Sequence, residues 1–211
     1  MDINKFYNER KSVADFMVRL YDRHLTTASG GNISLKLNDE YFCITPTALD
    51  KGKLKPEQIA IVRFDGKNMT PNLKLSIETD MHRRTLLARP DMNAVVHAHP
   101  IYASSFSTSL ECQLTARYTA EAYWVIRDIV NVPYKLMGTE ELAIAVSNQM
   151  KENTVLLMEN HGAITTAPTL LLAFDKLELL ERAAKMQIIC KNIPGSHTLS
   201  DDKCEILNNW P

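Results

Sequence analysis

The sequence predicts one α/β domain in which helices flank a mostly antiparallel sheet. Short stretches of alternating apolar residues indicate strands, and longer stretches with apolar residues every three or four positions indicate amphipathic helices. A turn at 38–40 joins two of the strand stretches directly, which favours antiparallel pairing. The 211 residues suffice to bury a sizeable core, and no internal repeat or linker divides them.

The first half of the chain is predicted to form two helices and four strands. An apolar stripe predicts a helix over 5–24, which ends in the small-residue turn 26–32. Ser76 is the expected N-cap of a helix over 77–88, which stops before Pro90. Strands are predicted at 33–37, 41–44, 59–62 and 93–99.

The second half is predicted to alternate helices and strands in the same way. Helices are expected over 101–107, 140–150 (with Thr139 as N-cap) and 168–191, and strands over 154–158 and 162–166. The stretch 115–128 mixes aromatic and small residues, and it predicts neither type. The expected single domain spans 1–211, and we expect its weakly patterned tail, about 193–211, to be an arm that docks on another subunit.

Composition disfavours several classes of protein. Hydrophobic residues make up 45% and charged residues 23%, as in ordinary globular domains, and the net charge of −1 gives no general attraction to nucleic acid or to an anionic membrane. No apolar run approaches the roughly 20 residues that span a bilayer, and the N-terminus lacks the pattern of a signal peptide. The four scattered cysteines form no C-x-x-C pair, so we expect reduced thiols in a cytoplasmic protein.

Two histidines at the end of a predicted strand are candidate metal ligands. His97 and His99 lie two positions apart, which places them on one face of the strand, and Pro100 ends that strand. Such a pair supplies two corners of a metal site. One buried histidine and one loop histidine would give the same pattern, so the pair needs further ligands elsewhere in the chain.

His161 and Glu78 are the candidate further ligands. His161 follows a predicted strand and could supply a third nitrogen, while Glu78 could act as a fourth ligand or as a base. Without the histidines, Glu78 would be interpreted as a solvated carboxylate favoured by the helix dipole. His82 lies one turn after Glu78 on the same helix face, and we expect it to support the ligands or to lie on the surface. His24 and His197 are expected to be solvated.

Six short motifs occur in the order and approximate spacing of the class II aldolase/adducin family, which the chain resembles from about residue 11 to 191. The motifs are 31–34 (Gly-Asn-Ile-Ser), 45–47 (Thr-Pro-Thr), 76–78 (Ser-Ile-Glu), 97–99 (His-Ala-His), 133–139 (Pro-Tyr, then Gly-Thr) and 160–162 (Asn-His-Gly). The chain looks most like the zinc-dependent fuculose-1-phosphate aldolase branch. One such motif would be weak, but six in order are specific.

The resemblance implies a three-layer α/β/α sandwich with a central, mostly antiparallel sheet, and a homotetramer of C4 symmetry with active sites between subunits. His97, His99, His161 and Glu78 match the zinc ligands of the family, with one Zn²⁺ per subunit. Tyr118 matches the tyrosine that a neighbouring subunit contributes, although it could also be a core or interface aromatic. Three imidazoles and a carboxylate accommodate Mn²⁺ or Co²⁺ as well.

The implied reaction is the reversible cleavage of a ketose 1-phosphate, such as L-fuculose 1-phosphate in fucose degradation. The products would be dihydroxyacetone phosphate and an aldehyde such as lactaldehyde. The metal would stabilise the enediolate that forms on cleavage. Glu78 would exchange the proton at the enediolate carbon, and Tyr118 would exchange a proton with the oxygen that becomes the aldehyde.

The resemblance also implies that three loops hold the phosphate through backbone amides and hydroxyls. The matching residues are Gly31, Asn32, Thr47, Ala48, Ser76 and Ile77. Ala48 stands where the fuculose-phosphate enzymes have glycine, and Ile77 stands where they have a second serine, which removes one hydroxyl contact. Lys51 or Lys53 could compensate for it.

Other functions are left open or disfavoured. A methylthioribulose-1-phosphate dehydratase-like lyase stays open, because that branch also combines zinc with glutamate and resembles the chain at 50–54. A non-catalytic adducin-like interaction module is disfavoured because all four metal ligands are present. The ribulose-5-phosphate 4-epimerase branch is disfavoured because it has an aspartate where this chain has Glu78. Nothing in the sequence supports binding to nucleic acid or membranes.

Overall fold

The computed structural model describes residues 3–109 and 111–210, and all the strands within them belong to one sheet. The strands are β1 (Asn32–Lys36), β2 (Tyr41–Ile44), β3 (Ala60–Arg63), β4 (Ala94–Ala98), β5 (Val130–Val132), β6 (Val155–Met158) and β7 (Gly162–Ala167). The α-helices are α1 (Tyr7–Asp22), α2 (Thr79–Ala88), α3 (Ile101–Phe106), α4 (Ala120–Ile126), α5 (Glu140–Met150), α6 (Leu170–Cys190) and α7 (Asp201–Asn208). None of these helices is both long enough and apolar enough to cross a membrane.

The strands are ordered β3-β2-β1-β4-β7-β6-β5, so β4 lies at the centre of the sheet. Every neighbouring pair is antiparallel except β5 and β6, which are parallel. A parallel pair needs a crossover connection, and α5 provides it between these two strands. The predicted mostly antiparallel sheet is therefore confirmed, with one parallel pair at its edge.

Apolar side chains cover both faces of this sheet and create three layers. On one face the strands pack against α1, α3 and α6, and on the other they pack against α2 and α5. Successive residues of β4 serve opposite faces: Val96 belongs to the first cluster and Val95 to the second. The α/β/α architecture predicted from the family resemblance is confirmed.

Ser76 is not the N-cap of α2, because the helix begins later than the sequence predicts. Glu78 occupies the N-cap position, and its side chain makes no capping hydrogen bond. The Ser76 hydroxyl accepts a hydrogen bond from the Glu78 backbone N–H at 3.2 Å, which closes a turn just before the helix. The Glu78 carboxylate is thereby left free to point away from the helix.

Besides the helix in the tail, α4 and β5 have no counterpart in the sequence prediction. The untyped stretch 115–128 contains α4, whose N-cap Thr119 accepts a hydrogen bond from the N–H of Ala122. The edge strand β5 has only three residues, too few to show a periodic pattern. Pairing with β6, rather than local sequence, therefore defines this strand.

The C-terminal tail forms α7, which packs on α4 of its own chain. The Tyr123 hydroxyl donates to Oδ1 of Asn208 at 3.2 Å, and the Arg117 guanidinium pairs with Asp201 at 2.6 Å. The backbone N–H of Leu199 donates to the carbonyl of Arg117 at 2.8 Å. The tail is thus tied to its own subunit at several points, and its predicted docking on another subunit stays a prediction.

Replacing Phe174 in α6 by alanine is expected to destabilise the fold by about 3–5 kcal/mol. Phe174 is fully buried, its ring lies 5.2 Å from that of Phe16, and the Arg19 guanidinium lies 4.5 Å above it. Urea unfolding would measure the loss. Leu171→Ala, on the 57% exposed position of the same helix, is the control and is expected to cost little. Equal stabilities of the two variants would contradict this description of the core.

Candidate metal centre

The carboxyl end of the central strand β4 carries two of the candidate ligands. His97 has the same side-chain direction as Val95, so it faces the α2 layer. His99 follows one residue after the strand ends, and its ring centroid lies 4.8 Å from that of His97. His97 is fully buried, and His99 is partly buried. The two rings thus lie close together, although His99 lies just outside the strand that was expected to carry both.

The turn between β6 and β7 brings His161 to the same place. Asn160 makes this turn possible, since its φ of 52° lies in the left-handed region that asparagine tolerates better than most residues. The His161 ring centroid lies 4.9 Å from that of His97 and 5.5 Å from that of His99. One ligand atom from each of the three histidines lies within 4.8 Å of the others, an arrangement compatible with a metal site.

Two glycines leave the space that the His99 ring occupies. A Cβ at Gly162 would lie 2.7 Å from His99 Cδ2 and 2.6 Å from the carbonyl oxygen of Ala98. A Cβ at Gly30 would lie 2.9 Å from His99 Nδ1. The sequence analysis placed Gly30 in a small-residue turn and Gly162 at the start of a strand, and their contact with His99 exists only after the strands pair.

Glu78 faces two of these histidines from the start of α2. Its Oε1 lies 3.1 Å from His161 Nε2, and its Oε2 lies 3.4 Å from His97 Nε2. Burial acts to raise the pKa of this carboxyl group, but His97, His161 and the Asn32 amide outweigh burial and hold the pKa below its usual range. Glu78 is therefore ionised near neutral pH.

The protonation state of His97 favours the binding of a cation between this ring and Glu78. Its Nδ1 donates to the carbonyl oxygen of Ala163 at 2.8 Å, and burial lowers its pKa, so the neutral ring carries a lone pair on Nε2. That Nε2 is buried without a hydrogen-bond partner in the described residues. Two hydrogen-bond acceptors, Nε2 and the Glu78 carboxylate, thus face one another. A cation bound between them would remove this unfavourable contact. The residues fit a metal ion.

The pKa of His99 supports the same conclusion. Burial lowers the pKa of His99 to about 3. A neutral imidazole is the form that binds a metal ion. The donor set of three histidines and one carboxylate is a set that zinc accepts.

His82 is part of a buried hydrogen-bonded chain that leads to Glu78. Asn32 Nδ2 donates to Glu78 Oε2 at 2.7 Å, which turns Asn32 Oδ1 towards His82 Nε2, with which it makes a short hydrogen bond. His82 Nδ1 then accepts from the Ser34 hydroxyl at 2.7 Å. Burial lowers the pKa of His82 to about 3, so one nitrogen donates and the other accepts. His82 therefore holds the amide that orients Glu78.

Two of the three candidate phosphate loops, 31–32 and 76–77, adjoin this centre, and the third is 47–48. Ser76 Oγ accepts from Asn32 Nδ2 at 3.2 Å, which joins two of the loops. The Thr47 N–H donates to the Lys74 carbonyl at 3.1 Å, so this amide is already paired. Ala48 is exposed and has a φ of 60°, a conformation that its glycine counterpart would adopt without strain. Ile77 is exposed and packs against Gly138, in the loop that carries the 133–139 motif.

Tyr118 does not reach the histidines of its own chain by any contact among the described residues. It precedes α4 and lines a small cavity of about 50 Å³ with α6 residues, Arg182 and Met186 among them. A larger groove of about 590 Å³ continues along α6 and shares these two residues. In a single chain the Tyr118 side chain is thus separate from the metal centre, as the prediction of a contribution to a neighbouring subunit requires.

Comparison with known proteins agrees with this geometry. The family model of the class II aldolase and adducin N-terminal domain matches residues 11–188. The chain is 40% identical to the L-fuculose phosphate aldolase of Methanococcus vannielii, over 81% of this chain and 90% of that protein. It is 31% identical to the 3-oxo-tetronate 4-phosphate decarboxylase of Haemophilus influenzae, over 82% and 85%.

Its fold is similar to a solved L-fuculose 1-phosphate aldolase, with a TM-score of 0.84 at 28% identity over 94% of this chain and 93% of that one. The match of the family model covers the histidine strand, the start of α2 and the β6–β7 turn, which are the elements that build the centre. The chain therefore belongs to the class II aldolase and adducin N-terminal domain family, among its aldolase-type enzymes.

Proposed function

We propose that the chain is a zinc-dependent aldolase that reversibly cleaves a ketose 1-phosphate, of the L-fuculose 1-phosphate type, to dihydroxyacetone phosphate and an aldehyde. The observation that carries the proposal is the buried Nε2 of His97, which lies 3.4 Å from the Glu78 carboxylate without a hydrogen-bond partner in the described residues, with His99 and His161 beside it. A non-catalytic module would have no need to hold these groups in opposition.

His97, His99 and His161 would hold the ion, with Glu78 as the fourth ligand before substrate binds. When bound, zinc supplies positive charge that stabilises the enediolate developing at the ketose carbonyl. The same ligands suit Mn²⁺ and Co²⁺, so the cleavage assay includes protein that has been stripped of metal and reloaded with each of these ions.

Glu78 would act as the base once it is released to the substrate. Its carboxyl group is ionised because its pKa lies below the usual range, so it can take and return the proton at the enediolate carbon. The amide of Asn32 fixes the direction of the carboxylate, and His82 fixes the amide. The rate of proton exchange should therefore depend on this hydrogen-bonded chain.

Ser76 is well placed to bind a phosphate oxygen. Its Oγ accepts hydrogen bonds from Asn32 Nδ2 and from the Glu78 N–H, each at 3.2 Å. With its acceptor positions used, the hydroxyl proton can donate to an anion. Loss of the second hydroxyl at Ile77 leaves a backbone amide in its place.

Tyr118 of a neighbouring subunit would exchange the proton of the oxygen that becomes the aldehyde. In the proposed C4 homotetramer a neighbouring subunit supplies this tyrosine, which in its own chain lines a cavity against α6. Exposed apolar side chains near the centre, Ile77, Tyr134, Leu136 and Met137, support burial of this edge between subunits. All four cysteines are free thiols, which supports the proposed cytoplasmic location.

Two other activities belong in the test. Decarboxylation of a 3-oxo acid phosphate also forms an enediolate, and a decarboxylase is among the relatives at 31% identity. A methylthioribulose-1-phosphate dehydratase would lose water instead of an aldehyde. The products tell the three reactions apart.

Purified protein is expected to release dihydroxyacetone phosphate from at least one ketose 1-phosphate. The panel contains the 1-phosphates of L-fuculose, L-rhamnulose and 5-deoxyribulose, with 3-oxo-tetronate 4-phosphate and methylthioribulose 1-phosphate as the alternative substrates. A chelator should abolish release and zinc should restore it, because the ion carries the charge stabilisation. No release by protein with bound metal would contradict the proposal, and protein purified without metal would favour the interaction module.

Glu78→Gln is expected to lower the rate of cleavage by about 10²- to 10⁴-fold, the usual contribution of a general base. Three histidines remain, so metal content should stay near that of the unchanged protein. Deuterium exchange from solvent into dihydroxyacetone phosphate, followed by NMR, isolates the proton step. Asp80→Asn is the matched control, because the Asp80 carboxylate on α2 pairs with Arg83 and Arg84 instead. Unchanged exchange in Glu78→Gln would rule out Glu78 as the base.

His82→Phe is expected to lower kcat roughly 10- to 100-fold with little change in KM, because Asn32 loses the donor that orients it. Steady-state kinetics and metal analysis would measure this. Thr85→Val is the control, since the Thr85 hydroxyl is buried on the same helix without a hydrogen-bond partner in the described residues. If both variants lose the same activity, His82 serves only the packing of α2.

A further inference from the structure

Lys51 carries a buried ammonium group that has no role in the reaction proposed above. Its side chain is 2% exposed, and its Nζ donates to the carbonyl oxygen of Pro46 at 2.5 Å. An ammonium group has three N–H donors. One carbonyl group therefore leaves most of its hydrogen-bonding capacity unused within the described residues.

The charge of Lys51 also lacks a contacting counter-ion among residues 3–109 and 111–210. No carboxylate there lies within ion-pair distance of Nζ, and the acidic group whose charge acts on it is Glu78. Burial lowers the pKa of Lys51 to about 8, so the side chain is still mostly charged at neutral pH. A buried charge of this kind is costly unless an anion faces it.

The position of Lys51 relates it to all three candidate phosphate loops. Its backbone N–H donates to the Ala28 carbonyl at 2.9 Å, in the turn that leads to 31–32. Its Nζ binds Pro46, which directly precedes 47–48. The Glu78 charge that acts on it belongs to the residue following 76–77. The ammonium group thus lies beside 47–48, while its backbone and the Glu78 charge link Lys51 to the other two loops.

Lys53, the other lysine that the sequence offered, is placed differently. Its side chain is 84% exposed, and its Nζ lies 3.7 Å from Oδ2 of Asp50. Lys53 belongs to the same 3₁₀ turn, Lys51–Lys53, and it differs from Lys51 in burial and in having an acidic neighbour. It therefore provides a matched control.

We propose that Lys51 supplies the positive charge that holds the phosphate group of the substrate among the three candidate phosphate loops. This inference rests on the proposed function, since it takes the bound anion to be the phosphate of a ketose 1-phosphate. A charge-assisted hydrogen bond to phosphate is stronger than a neutral one, so Lys51 more than replaces the hydroxyl lost at Ile77.

The test measures inorganic phosphate binding to the zinc-loaded protein, both by titration calorimetry and as competitive inhibition of cleavage. Lys51→Met removes the charge and the donors, and Lys51→Gln removes the charge while keeping a donor that can reach Pro46. Both variants are expected to fold, because loss of a buried charge relieves its desolvation. Phosphate affinity should fall about 10- to 100-fold in both, and Lys53→Met should stay within twofold.

Each result decides between specific alternatives. If both Lys51 variants bind phosphate with unchanged affinity and unfold at lower midpoints, the inference is overturned. Lys51 is then a structural link between loops. If the protein without substitutions cleaves a ketose 1-phosphate but inorganic phosphate does not inhibit this cleavage, the inference is overturned and the proposed function stands. Phosphate binding that depends on Lys51, without cleavage of any ketose 1-phosphate, would support the anion site and overturn the proposed function.

Discussion

The opposition of Glu78 to the unprotonated nitrogen of His97 is the constraint on which the centre depends. Both groups accept hydrogen bonds, both are buried, and the chain places them 3.4 Å apart. Such an arrangement is unfavourable by itself, so the rest of the fold must offset its cost, and a cation between the two groups would offset it as well. Neighbouring features, from the His82 chain to the glycines beside His99, hold these groups in that position.

The sheet topology explains how distant residues meet. β4 is central, and its neighbours β1 and β7 pair with it so that Asn32 and Ile164 lie opposite His97. Asn32 therefore reaches the centre from one side, and the turn before β7 delivers His161 from the other. α2 covers the same face and contributes Glu78 at its start and His82 one turn later. A single strand end thus gathers groups that are separated by more than a hundred residues in sequence.

Local pattern predicted most of the helices and strands, because period-two and period-3.6 repeats encode them directly. The sheet order could not be predicted from the residues themselves, and β5 was missed because three residues carry no period. Ser76 illustrates a subtler limit, since its hydroxyl suits an N-cap and also the turn that precedes one. The role of His82 required knowledge of which amide and hydroxyl groups surround it, and these come from β1.

The C-terminal tail carries no residue of the proposed centre, yet it holds the segment that contains Tyr118. Leu199 binds the carbonyl of Arg117, and Asp201 pairs with the Arg117 side chain. The tail thereby restricts the backbone immediately before Tyr118, whatever group that tyrosine meets. A sequence difference in the tail can consequently shift the position of Tyr118 without changing any residue of the candidate centre.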